Sequence, residues 1–121
     1  METIIKNYLQ ALEDADLGAM LMLFSPNALI YSPLYGPQKP RKFYQDLFRD
    51  TQQSKIQLLD IYTNLEKHTA SVNFIYEWTM ANESQTTFDC VDIFHFDGEN
   101  KITQLKIIYD TQQARPLFNE L

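Results

Sequence analysis

The chain predicts an α+β domain, with helices early and an antiparallel sheet after them. Three observations carry this expectation. Apolar residues recur at helical spacing through Phe48, apolar and polar residues alternate in several runs after Ile56, and short polar turns separate those runs.

From Ile4 to Leu12 the positions Ile4, Ile5, Tyr8, Leu9 and Leu12 fall on one face of a helix. Glu13-Asp14-Ala15-Asp16 interrupts the pattern, and Asp16 is placed to cap a second helix carrying Leu17, Met20, Leu21 and Phe24. Ser25-Pro26-Asn27 ends that helix, and Ala28 to Ser32 reads as a short strand. Pro33 to Pro40 holds three prolines and a glycine, a stiff breaker segment. Pro40 suits the first turn of a third helix, whose apolar side is Phe43, Tyr44, Leu47 and Phe48. Ile56–Leu65, Ala70–Met80, Gln85–Phe96 and Ile102–Asp110 then read as strands, with Asp97-Gly98-Glu99-Asn100 as a hairpin turn.

At 121 residues the chain fits one domain spanning residues 1–121. Its formal net charge of -6 argues against an electrostatic nucleic-acid partner. Cys90 is the only cysteine, which excludes an internal disulfide and any multi-cysteine metal site. His68 and His95 have no carboxylate at ligand spacing, and no glycine-rich phosphate loop follows a strand. No cofactor is therefore expected. With no basic leader or long apolar stretch, the expected setting is cytoplasmic and away from membranes.

The most informative run is Phe88-Asp89-Cys90-Val91-Asp92-Ile93-Phe94-His95-Phe96. Strand alternation puts Phe88, Cys90, Asp92, Phe94 and Phe96 on one face. A carboxylate among these groups is costly unless protonated or paired, which singles out Asp92 as a functional group. Phe74, Tyr76, Trp78 and Met80 form a similar aromatic face on the preceding strand. Val91, Ile93 and His95 lie on the opposite face with Lys106, Ile108 and Asp110, and a second copy is expected to cover that outer sheet face as a homodimer.

Tyr8-Leu9-Gln10-Ala11-Leu12, Asp16-Leu17, Leu23-Phe24, Asn27-Ala28, Ser32-Pro33-Leu34-Tyr35-Gly36, Val91 to Asp97 and Lys101-Ile102 together resemble the NTF2-like superfamily. The resemblance is strongest to its ketosteroid isomerase and SnoaL-like polyketide cyclase branch. It implies a cone-shaped, cystatin-like fold with three N-terminal helices packed in a strongly curved, mostly antiparallel sheet. It also implies an apolar pocket in which Tyr8 and the protonated Asp92 stabilise an enolate oxygen. Ser32 stands where the family carries its aspartate base, and a serine hydroxyl needs an activator to serve as one. Asp89, His95, Glu77 and Asp110 all point away by alternation.

The expected catalytic set is thus Tyr8, Asp92 and Ser32, and the expected ligand-binding set is Tyr109, Phe74, Tyr76, Trp78, Phe94 and Tyr35. The partner implied is a small apolar carbonyl compound, handled by isomerase- or cyclase-type chemistry. The alternative is a non-catalytic ligand-binding or dimerisation domain that keeps the same pocket.

Overall fold

The computed structural model describes all 121 residues. Helix α1 spans Glu2–Asp14 and buries Ile5, Tyr8, Leu9, Ala11 and Leu12. It ends at Ala15, which has a left-handed φ of 52°, while the N–H groups of Ala15 and Asp16 return to the carbonyls of Leu12 and Ala11. Asp16 then caps α2 (Leu17–Leu21), accepting a hydrogen bond from the Ala19 N–H at 3.0 Å. Strand β1 (Phe24–Ser32) starts earlier than Ala28 because its first residue already pairs with Ile102 of the last strand.

The breaker-rich segment is not all loop. Pro33-Leu34-Tyr35 turns the chain, and β2 (Gly36–Gln38) runs back antiparallel along β1. Gly36 has φ +74°, which a residue with a Cβ adopts only at a cost, so glycine suits the strand's first position. Helix α3 (Pro40–Arg49) opens on its proline and buries Phe43, Tyr44 and Leu47. Three long strands follow, β3 (Thr51–Asn64), β4 (Thr69–Met80) and β5 (Gln85–Phe96), then β6 (Ile102–Ile108) and a five-residue helix α4 (Ala114–Phe118). On β4 and β5 the alternation is as the sequence predicts. Val72, Phe74, Tyr76 and Trp78 are buried, as are Cys90, Asp92, Phe94 and Phe96.

The sheet order is β2-β1-β6-β5-β4-β3. Leaving β2, the chain crosses by α3 to the far edge and walks back by hairpins, so β6 arrives parallel to β1 while every other neighbour is antiparallel. This corrects the expected architecture in two respects. The sheet is mixed and open, with β2 and β3 as unjoined edges rather than parts of a strongly curved cone. The helices are not all N-terminal either: α3 follows two strands and α4 closes the chain. The α4 sequence Ala114-Arg115-Pro116-Leu117-Phe118 is too short to show a helical period, and tertiary packing decides it.

One continuous core joins the inner sheet face to α1, α2 and α3. The outer face presents Leu29, Tyr31 and Ile108 as exposed apolar groups, interspersed with exposed Asp89, His95 and Lys106. No helix is long and apolar enough to cross a membrane.

Candidate functional site

Asp92 is 1% exposed, held at the centre of β5 between Val72 of β4 and Ile107 of β6. It faces a narrow cavity enclosed by α1, α3 and the inner sheet face. Leu12 of α1 and Phe43 and Leu47 of α3 supply the helical wall, while Phe74, Tyr76 and Trp78 supply the β4 wall. Phe88, Cys90, Ile107 and Tyr109 complete the side formed by β5 and β6, and Ser32 and Tyr35 stand at the β1 turn. The space including its mouth is about 420 Å³, yet only about 40 Å³ is open to the centre of a water molecule. That is smaller than the roughly 150 Å³ cavity that accepts a benzene ring. A ring-sized ligand must therefore displace rim side chains, and Phe88 and Tyr109 are only half-buried.

The polar groups at the deep end form a chain. The Tyr44 hydroxyl donates to the Tyr8 hydroxyl at 2.7 Å, and both residues are essentially inaccessible. Accepting from Tyr44 leaves the Tyr8 proton free to serve another acceptor. The Cys90 thiol donates to Asp92 Oδ1 at 3.3 Å. Burial pushes the Asp92 carboxyl up to about 7, while hydrogen bonding from Cys90 and Tyr8 restrains the rise. Burial also raises the Tyr8 and Tyr44 phenols well above their ordinary range, so both remain neutral donors. The Cys90 thiol is raised by burial and then by Asp92, which keeps it protonated.

The predicted residues divide into two groups. Tyr8, Asp92, Ser32, Tyr109, Phe74, Tyr76, Trp78 and Tyr35 all line this one cavity. Phe94 does not. It is fully buried behind Tyr8, edge-on with ring centres 5.1 Å apart, and fixes that ring from outside the cavity. Ser32 lines the cavity, but its Oγ accepts from the N–H groups of Leu34 (3.3 Å) and Tyr35 (3.2 Å), an arrangement that closes the β1–β2 turn. Asp92 is the only carboxyl in the lining, and no imidazole joins it. Glu77, Asp89, His95 and Asp110 are exposed, as alternation predicts.

Sequence reasoning missed two partners. Tyr44 reads only as an apolar helix position, and nothing local reveals that its hydroxyl meets Tyr8, 36 residues away. Cys90 sits two residues from Asp92 on the same strand face, so the i, i+2 spacing was a usable signal for their contact. No group of three or more His, Cys, Asp or Glu side chains converges, so no metal ligand set can be named.

Residues 5–105 match the family model for the SnoaL-like domain. The chain belongs to the SnoaL-like family. Solved structures agree on the NTF2-like fold. One is SalBIII, described as an epoxide hydrolase/cyclase-like enzyme in pyran ring formation in polyether salinomycin, with a TM-score of 0.77 and 18% identity over 90% of this chain and 89% of that one. An NTF2-like protein of unknown function from Exiguobacterium sp. 255-15 gives 0.76 and 19% over 88% and 98%. PrhC from Penicillium brasilianum gives 0.82 and 13% over 98% and 85%. At these identities the likeness carries the fold alone. No match to a curated protein was found. The SnoaL-like match ends within β6, so Tyr109 and α4 lie beyond the matched residues.

Proposed function

We propose that this SnoaL-like domain binds a small apolar carbonyl compound, whose oxygen accepts hydrogen bonds from Tyr8 and from the protonated Asp92. The observation that carries this reading is a single buried carboxyl, poised near neutrality, facing the same apolar cavity as the Tyr44–Tyr8 hydroxyl chain. A neutral acid and a neutral phenol that line one apolar cavity are the donors that stabilise a developing oxyanion. The chemistry this favours is isomerisation or cyclisation through an enolate. Its proton acceptor would be Ser32, a water, or the substrate itself.

A second reading, a non-catalytic binding domain, is favoured by a specific observation. Ser32 Oγ is engaged by two backbone N–H groups, and no carboxylate or imidazole stands beside it as an activator.

The test is carboxyl NMR titration of Asp92 in the wild type and in Tyr8→Phe, with and without phenol as an oxyanion mimic. The expected wild-type midpoint is about 7. Because Tyr8 lowers it, Tyr8→Phe raises it, and phenol shifts it only while Tyr8 is intact. A midpoint near the ordinary value of about 3.9, with no response to phenol, would sink the proposal. Deuterium exchange at the α-carbon of an added ketone separates the two readings. Acceleration that Asp92→Asn abolishes supports catalysis, and exchange at the buffer rate supports binding alone.

A further inference from the structure

The polar groups around the cavity differ in how much of their hydrogen-bonding capacity is already engaged. Tyr76 Oη is paired with Ser54 Oγ at 2.7 Å, Trp78 Nε1 donates to Thr51 at 2.9 Å, and Tyr35 Oη donates to Asp50 at 2.8 Å. Trp78 and Tyr35 have thus given their polar protons to these partners, whereas in the Tyr76–Ser54 pair either hydroxyl can be the donor. Two hydroxyls differ. Ser32 Oγ has its acceptor side filled by Leu34 and Tyr35, so what it offers the cavity is its proton. Tyr109 makes no side-chain hydrogen bond within the protein, and its ring is fixed flat on Phe88, centres 3.9 Å apart and 11° from parallel.

The sheet register places both on the same wall as Asp92, Ser32 two strands across and Tyr109 one strand across and one inner-face step along. Ser32 follows Tyr31, the partner of Lys106, so it sits beside Ile107, which is itself paired with Asp92. Two strand spacings therefore separate Ser32 from Asp92, roughly 10 Å between Cα atoms. Tyr109 follows Ile108, the partner of Val91, and so comes level with Cys90, one step along the inner face from Asp92. Arg115 of α4, which donates to the Pro33 carbonyl at 2.8 Å, adds a cation near the Tyr109 hydroxyl. The rim is thus rich in donors, and between rim and apex the wall is apolar.

We infer that Ser32 and Tyr109 form a second hydrogen-bond-donating pole of the cavity, selecting ligands that carry a second oxygen acceptor about one ring's width from the oxygen held at Tyr8 and Asp92. This rests on the carbonyl-binding reading above. It assigns Ser32 to recognition through its proton, which leaves a water or the substrate as the proton acceptor, and Tyr109 to specificity.

The probes are para-methylcyclohexanone and the para isomer of cyclohexanedione, nearly equal in shape and differing in the second oxygen. Their affinities are read from the Asp92 carboxyl signal. The expected wild-type result is tighter binding of the dione by about fivefold or more, the return on one well-made hydrogen bond. Tyr109→Phe, which keeps the stacked ring, removes most of that preference. Ser32→Ala acts in the same direction. Since it also strips the turn of its acceptor, Tyr109→Phe alone decides the matter if Ser32→Ala does not fold. Equal affinities in the wild type, or a dione preference that survives Tyr109→Phe, overturn the second pole and leave carbonyl binding standing. If neither ketone moves the Asp92 signal, the carbonyl-binding reading falls, and this inference with it.

Discussion

Asp92 carries a stability consequence that follows from its position alone. An unfolded carboxyl titrates near 3.9, whereas burial raises the folded group to about 7. Between those values the folded chain holds a proton that the unfolded chain has released, so this group lowers stability as pH rises through the window. At about 1.4 kcal/mol per pKa unit, the loss from about pH 4 to about pH 8 is on the order of 4 kcal/mol. Asp92→Asn is expected to remove that slope, leaving the variant more stable than the wild type above about pH 7 and similar near pH 4. Urea unfolding of both proteins across the pH range checks this, and parallel curves would refute it. The location of Asp92 was legible from Phe88 to Phe96, because strand alternation needs no tertiary information. Its hydrogen-bond partners were only half legible. Cys90 shares its strand face, but Tyr44 reaches the network from α3 through Tyr8.

At the level of elements, the junction between α1 and α2 is where local sequence and geometry agree on one residue and disagree on its neighbour. Asp16 caps α2 as predicted, and Asp16→Ala is expected to cost about 1 kcal/mol. Ala15, by contrast, holds a left-handed φ of 52° without the glycine that such a position favours. Ala15→Gly is expected to stabilise the domain by about 0.5 kcal/mol, the relief of a left-handed alanine partly offset by a more flexible unfolded chain. Thermal unfolding of the two variants should move in opposite directions. Elements with a long period, such as α1, α3 and β4, were legible because many residues repeat one signal. Short ones were not. β2 hides in a proline-rich stretch and exists through its pairing with β1, and α4 exists through what it packs against.

For the molecule as a whole, α4 covers the turn that bounds the cavity. Phe118 stands edge-on to Tyr35 with ring centres 5.0 Å apart, and Arg115 is tied to the Pro33 carbonyl. Cys90, 1% exposed on the cavity wall, provides a native reporter of opening. Arg115→Ala is expected to speed thiol labelling of Cys90 under native conditions several-fold, on the order of what losing one hydrogen bond of about 1 kcal/mol permits. Labelling at the wild-type rate would show that α4 does not control access.

The sequence by itself determined the helical and strand identity of the long segments, the inward direction of Asp92, and the outward direction of Glu77, Asp89, His95 and Asp110. Each of these follows from a period of 3.6 or 2 residues along the chain. Tertiary structure alone decided that the sheet is mixed and open, that Phe94 supports Tyr8 instead of lining the cavity, and that the Ser32 hydroxyl is engaged on its acceptor side. It also set the cavity's size. Those outcomes depend on which distant segments meet and how closely their side chains fill the space, and no local pattern records that.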